Sequence, residues 1–372
     1  DSISLNYPNK KHDSRCRMTD GSAIWGISGN PTNGTSNNNS IERYALTPSF
    51  DIPAGFYTVG ATLTVTLSTT EPNSSIRYTL DGSEPNSASN LYTTPISMTT
   101  TTVIRAKTYS TNANISSSLT ETNTYFVNET HGTKVISIAG GTGITTLLGG
   151  SFNEPDGSFE LFETDGTFLT EATGEFNKHG NDSWAYAQRG LDFVARDQYG
   201  KNYALEDEIF DQKNRDKFQR VILKCGASDN YPFEGQANAN YPGEYGGAHV
   251  RDAFINELSQ RADLRMDERT TEFAVMYVNG NYWGVYDIRE KVDDHDFTSY
   301  YYDQDRNNLQ YLKTWGNTWS EYGGAQAQTD WDALVQFITT NNMTVPANYN
   351  YVDSVFNTGS LIDYFILNGY TV

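Results

Sequence analysis

Cations are scarce in this chain. Lys and Arg number 26 against 46 Asp and Glu, a formal net charge of −20 over 372 residues. Nucleic acids and anionic membrane surfaces need clustered positive charge from a partner, so composition argues against both. Long apolar runs are missing too. No stretch approaches the ~20 residues that carry a helix across a bilayer, and no membrane span is expected. Cysteine is nearly absent: Cys16 and Cys225 stand far apart. Outside the cell they could pair, but two unpaired, small core residues is the reading preferred. The chain opens on Asp1 with no signal peptide, which reads as a mature or trimmed start. Compact catalytic signatures are lacking as well. The five histidines, at 12, 131, 179, 249 and 295, form no HExxH, and there is no GxSxG and no Gly-Lys-Ser/Thr loop. Zinc hydrolysis, the usual serine esterase arrangement and a Walker loop all lose support.

What the chain does have is polar and aromatic. It contains 25 Tyr, with abundant Asn, Ser, Thr and Gly, a mixture that suits secreted β-rich modules. The length predicts two or three domains rather than one core. Residues 1–45 are broken by turn signals at Asp20-Gly21, Asn30-Pro31 and Asn33-Gly34, and run into an Asn/Ser linker. Residues 46–127 read as short strands. In "ATLTVTLS", Ala61, Leu63, Val65 and Leu67 alternate with hydroxyl residues, a period of two with one face buried. "SSIRYTLDGSEP" repeats the pattern through Ile76, Tyr78 and Leu80 and turns at Asp81-Gly82. Turn signals every ten residues or so predict a small β-sandwich. From 133 onward the character changes. "KVISIAGG" is strand-like, and "GGTGITTLLGG" reads as a flexible Gly-rich turn, since position 146 of a GxGxxG register is Thr. "HVRDAFINELSQRA" predicts a helix with Val250, Ala253, Phe254 and Leu258 on its apolar face. "FAVMYVNGNYWGVYDIRE" predicts a hairpin turning at Asn279-Gly280. "KVDDHDF", with Asp293, Asp294, His295 and Asp296, reads as a solvated acidic loop, its spacing matching no EF-hand. "WDALVQFITT" and "VDSVFNTGSLIDYFILNGYTV" predict helices. Strands first and helices later make an α+β domain.

Three family resemblances follow from particular residues. Arg17, Asp20, Gly21, Ser22, Trp25, Pro31, Thr32, Gly34 and Asn37 resemble the closing strand of a lamin-tail β-domain, of which residues 1–45 would be a remnant. Residues 46–127 resemble the C-terminal β-sandwich of chitobiase and β-hexosaminidase through Arg77, Tyr78, Thr79, Asp81, Gly82, Pro85, Tyr92, Pro95, Ile96, Arg105 and Ala106. Asp81 reads there as a turn residue and Tyr78 as a core residue, not as a sugar site. Residues 133–372 resemble the CotH-type spore-coat kinases, a family of atypical protein kinases. Gly180, Asn181, Ser183 and Gln188-Arg189 match one segment, and Arg251, Asp252, Glu257 and Leu258 a second. The hairpin is the most specific piece, through Val278, Asn279, Gly280, Tyr282, Gly284, Val285, Tyr286, Ile288, Glu290, Val292 and Asp293.

The last resemblance implies a fold, a cofactor and a site. The fold class expected is multidomain: an all-β immunoglobulin-like sandwich followed by an α+β atypical kinase-like domain. Phosphoryl transfer rests on cations at the phosphates, a metal held by carboxylates and a carboxylate orienting the acceptor hydroxyl. Arg189, Lys224 and Arg251 would supply the cations and Glu290 the nucleotide-contacting edge. For each the plainer reading is a surface ion pair, which for Lys224 is preferred. Arg189 stands where the family has Lys, a fork in place of a point charge. ATP with Mg²⁺ or Mn²⁺ would be the cofactors of the complete protein, with none bound here. The family's catalytic Asp and metal-binding Asp fall after Val372, so no catalytic or metal-ligating residue is assigned, and the chain by itself is expected not to transfer phosphate. Leu361, Ile362, Phe365, Ile366 and Leu367 would then form a helix that packs beneath that later segment. The expected protein is secreted, extracellular or at the cell surface. Its partners would be other domains of a larger protein and an extracellular or surface protein substrate carrying Ser or Thr. A non-catalytic structural or adhesive module is the alternative, and carbohydrate binding through the sandwich a third.

Overall fold

A computed structural model describes residues 8–37, 39–180, 184, 186–196, 200, 202–229, 249–293 and 295–371. The chain divides into two compact units. One comprises Asp1–Gly247 with Glu272–Arg289, the other Ala248–Thr271 with Glu290–Val372.

The first unit begins with a hairpin of Ser14–Arg17 and Trp25–Ser28. A five-stranded sheet follows, in the order Gly55–Tyr57, Glu121–Val127, Thr102–Ser110, Ser74–Thr79, Asn90–Leu91. Three short strand pairs complete this β-rich region, Leu63–Val65 with Ile96–Met98, Ser49–Phe50 with Leu67–Ser68, and Arg43–Tyr44 with Ile115–Ser116. The alternation read from sequence decides what is buried. Leu63, Val65 and Leu67 share one core with Ile76, Ile104, Tyr125 and Val127, and Tyr78 packs against it. At the Asp81-Gly82 turn, Asp81 Oδ1 accepts the Ser83 amide at 3.0 Å, and Gly82 has φ +73°.

The second half of this unit is a closed seven-stranded barrel. Its strands run in the order Lys134–Ala139, Asp156–Phe162, Phe168–His179, Gly190–Ala195, Arg220–Lys224, Asn281–Glu290, Thr271–Val278. Parallel pairing of the first with the last, from Lys134↔Ala274 to Ile138↔Val278, closes it. Phe159, Phe176, Phe193, Leu223, Met276 and Ile288 fill the interior. Sequence reading foresaw strands here but not their closure, which leaves no free edge. The hairpin turns as expected. Asn279 and Gly280 have φ 52° and 79°, the paired positive values of a type I′ turn.

"GGTGITTLLGG" departs from expectation. Gly141–Leu148 is a helix, α1, because Ile144, Leu147 and Leu148 fall at i, i+3 and i+4 and are all buried in the barrel core. Burial on one face outweighs the glycines, and Asn279 completes the start. Its Oδ1 accepts the amides of Gly140 and Gly141 at 3.1 and 3.0 Å, while Nδ2 donates to the Gly141 carbonyl at 2.9 Å.

The barrel and the β-rich region share buried contacts within the unit. Phe126 meets Phe162 at 5.1 Å and Tyr277 at 4.9 Å between ring centroids. Beside them Glu160, fully buried, accepts the Thr124 amide on Oε1 at 3.0 Å and the Thr124 hydroxyl on Oε2 at 2.6 Å.

The other unit is mostly helical: α2 Arg251–Arg261, α3 His295–Tyr302, α4 Gly324–Thr340, α5 Pro346–Val355 and α6 Thr358–Thr371, with a hairpin of Tyr311–Trp315 and Asn317–Tyr322. α2 lies where expected, but its buried face only partly matches the apolar one foreseen, with Leu258 half-buried. Ala253 and Ser259 are buried, while Phe254 and Val250 are exposed. Ser259 is drawn in by the Glu268 carboxylate, which accepts its hydroxyl. α6 likewise buries Asp363 and Leu367 and exposes Leu361, Ile362, Phe365 and Ile366. An ion pair accounts for the buried Asp363. Asp363 receives the Arg265 amide at 2.8 Å, Nε at 2.8 Å and Nη2 at 3.0 Å. These bonds from Arg265 hold the Asp363 carboxyl down to about 2. No described helix is long and apolar enough to cross a membrane.

Candidate functional site

Arg189 and Lys224 belong to the first unit, Arg251 and Glu290 to the second. Asn181, Ser183 and Asp294 lie outside the described residues.

Arg189 precedes the strand Gly190–Ala195, and its guanidinium serves the main chain. Nε donates to Trp184 O at 3.1 Å and Nη1 to Leu148 O at 2.7 Å. The second bond satisfies a carbonyl at the C-terminal end of α1, where a cation also complements the helix dipole. The group lies 5.8 Å over the Trp184 ring. Tyr286 fixes the backbone here by donating to Arg189 O at 2.9 Å. A bidentate grip on phosphate would have to release these carbonyls.

Lys224 ends the strand Arg220–Lys224 and is half-buried. Among the described residues it has no salt bridge, so the ion pair expected for it is not found there. Cys225 beside it is fully buried, and burial pushes its thiol up against the opposing effect of the Lys224 ammonium. Cys16 is also a free thiol, in contact with Ser40 Oγ at 3.1 Å.

Arg251 is the first residue of α2 and exposed. A cation there opposes the positive end of the helix dipole. Glu290 ends its strand with a buried side chain. The Tyr301 hydroxyl of α3 donates to its Oε1 at 3.0 Å, and its amide donates to Thr270 O at 3.0 Å.

The acidic stretch after Glu290 is not the solvated loop its composition predicts. Asp293 is buried, with Lys313 Nζ at 2.8 Å from Oδ2 and Lys291 Nζ at 3.4 Å from Oδ1. Burial pushes the Asp293 carboxyl up, but Lys291, Lys313 and Arg269 override it and hold the group well below the ordinary carboxylate range. Lys313 responds in kind. Burial lowers it, yet the bond to Asp293 wins and raises it. Both members stay charged, which is what makes a buried pair tolerable. Asp296 pairs with Arg306. Sequence reading missed this network, since Lys313 lies twenty positions downstream on a hairpin with no periodic signal.

The described residues thus supply cations and one buried carboxylate at the predicted positions. Among them no three carboxylate, His or Cys side chains gather as metal ligands.

No curated protein matches the chain. Residues 52–122 match the model of the chitobiase/beta-hexosaminidase C-terminal domain. Residues 201–372, which hold Lys224, Arg251 and Glu290, match that of the CotH kinase protein. Two stretches of this chain are accordingly similar to two of the families its motifs resemble, a chitobiase-type β-domain followed by a CotH kinase segment.

Proposed function

We propose that the chain is part of an atypical protein kinase of the extracellular space or cell surface, which transfers the γ-phosphate of ATP to Ser or Thr of surface proteins. The observation that carries this reading is the CotH kinase match over residues 201–372. Arg251, Lys224 and Glu290 take the nucleotide roles the resemblance gives them. Lys224 is the best fitted, an ammonium at a strand end with no described carboxylate to neutralise it. Arg189 acts mainly as the cap of α1.

Thermal shift of the complete protein with ATP and Mn²⁺ tests this, because a ligand that binds only the folded state stabilises it by about 2.7 kcal/mol at a hundredfold excess over its dissociation constant. The expected result is a rise in Tm with ATP that adenosine does not give and that Lys224→Met reduces. No shift at millimolar ATP overturns the reading.

A further inference from the structure

Against a chain charge of −20, one cavity of the first unit is positive. It encloses about 540 Å³, inside the range of small-molecule sites. Lys10, Lys11, Arg105 and Lys107 line it against two carboxylates, Glu84 and Asp156. One carboxylate is spent on one cation: Lys11 Nζ lies 2.8 Å from Asp156. The other is shared. Arg105 Nη2 lies 2.7 Å from Glu84 Oε2, and Lys107 pairs with Glu84 Oε1. Lys10 is coordinated by neutral oxygens alone, Ser117 O at 2.6 Å, Ser117 Oγ at 2.8 Å and Ser116 Oγ at 3.3 Å. Two positive charges are left over in a concave site, where low-dielectric walls concentrate their field.

We propose that this cavity binds a small hydroxylated anion, a uronic acid or a sugar phosphate, whose charged group lies between Lys10 and Lys107. Arg105 is unsuited to the grip, since Nε donates to Thr122 and Nη1 to the Gly82 carbonyl, leaving no fork. Ammonium groups act as point charges and accept either a carboxylate or a phosphate. Asp156, Thr120 and Thr173 on the wall offer partners for hydroxyls. No Phe, Tyr or Trp lines the cavity, and His12 is its one aromatic ring. Lys10 is itself perturbed by its surroundings. Burial, and then the Lys107 ammonium, lower it to about 8, while Asp13 and Glu84 pull the other way. The site lies wholly within the first unit and does not depend on the kinase reading.

Calorimetric titration of the whole chain at pH 7 with glucuronate, glucose 6-phosphate and glucose tests the assignment. At least one of the two anions binds, glucose does not, and the stronger of the two identifies a carboxylate or a phosphate as the natural group. Lys10→Gln, at a half-exposed position, weakens binding at least tenfold. Glu84→Gln, which removes the competing internal anion, tightens it severalfold if circular dichroism shows the fold retained. Absence of binding by both anions at tens of millimolar overturns the proposal. So does equal binding of glucose, or an affinity that Lys10→Gln leaves unchanged.

Discussion

Glu160 is a carboxyl group placed where ionisation is costly. It is fully buried, and burial raises it from an ordinary 4.5 to about 8, helped by the nearby charges of Glu171 and Glu121 and opposed by its bonds from Thr124. A group whose folded-state value lies above its unfolded one contributes stability that is complete below the unfolded value. That contribution is lost as pH climbs through the folded one. Stability should therefore fall between about pH 4.5 and pH 8, by on the order of 5 kcal/mol at about 1.4 kcal/mol per pH unit. Urea unfolding at pH 5 and pH 8.5 checks this: Glu160→Gln should remove most of the difference, and an identical pH profile in the variant would refute the assignment. Nothing in "DGSFELF" announces such a residue. Strand alternation places a side chain on a face but does not say that the face will be covered by Thr124. The same limit explains the candidate site. Arg189, Lys224, Arg251 and Glu290 could be named from the resemblance to the CotH-type kinases. That Arg189 is consumed by the carbonyls of Trp184 and Leu148 depends on contacts the sequence does not encode locally.

Among the elements, those governed by short-range rules were legible and those governed by packing were not. Asn279-Gly280 specified its turn because both residues tolerate the positive φ that the twist of a tight hairpin demands. α1 was missed because the five glycines of "GGTGITTLLGG" argue for a turn, whereas the core contacts of Ile144, Leu147 and Leu148 decide for a helix. The two elements are coupled through the side chain of Asn279. Asn279→Ala should cost on the order of 2 kcal/mol, since it strips three bonds from the start of α1 and leaves a β-carbon residue at φ 52°. Asn279→Gly should cost less, because only the bonds are lost. Chemical denaturation of both variants separates the two contributions; equal losses would mean that backbone conformation contributes nothing here. α6 forms where its apolar spacing placed it, with Leu367 and the Arg265–Asp363 pair on its buried side and Leu361, Ile362, Phe365 and Ile366 exposed.

At the scale of the molecule, the barrel is held by its aromatic interior. Phe193 is fully buried, 5.1 Å from Phe159 and 4.9 Å from Phe176 between ring centroids. Phe193→Ala removes the ring that bridges the other two and should cost about 3–5 kcal/mol. A shift in the urea midpoint with an unchanged slope checks it, and a loss under about 1 kcal/mol would show that the interior collapses to fill the space.

The parallel seam that closes this barrel also sets a timetable for synthesis. Lys134 finds its partner in Ala274, 140 positions later. A ribosome adding roughly 5–20 residues per second spends about 7–30 s between the two. Throughout that interval Lys134–Ala139, buried at every position in the finished protein, waits with one unpaired edge. Adjacent nascent chains could pair with it there. The β-rich region is complete by then, and Thr124 and Phe126 are ready to cover one side of the waiting strands. The earlier-made region would thus shield the later one while it waits.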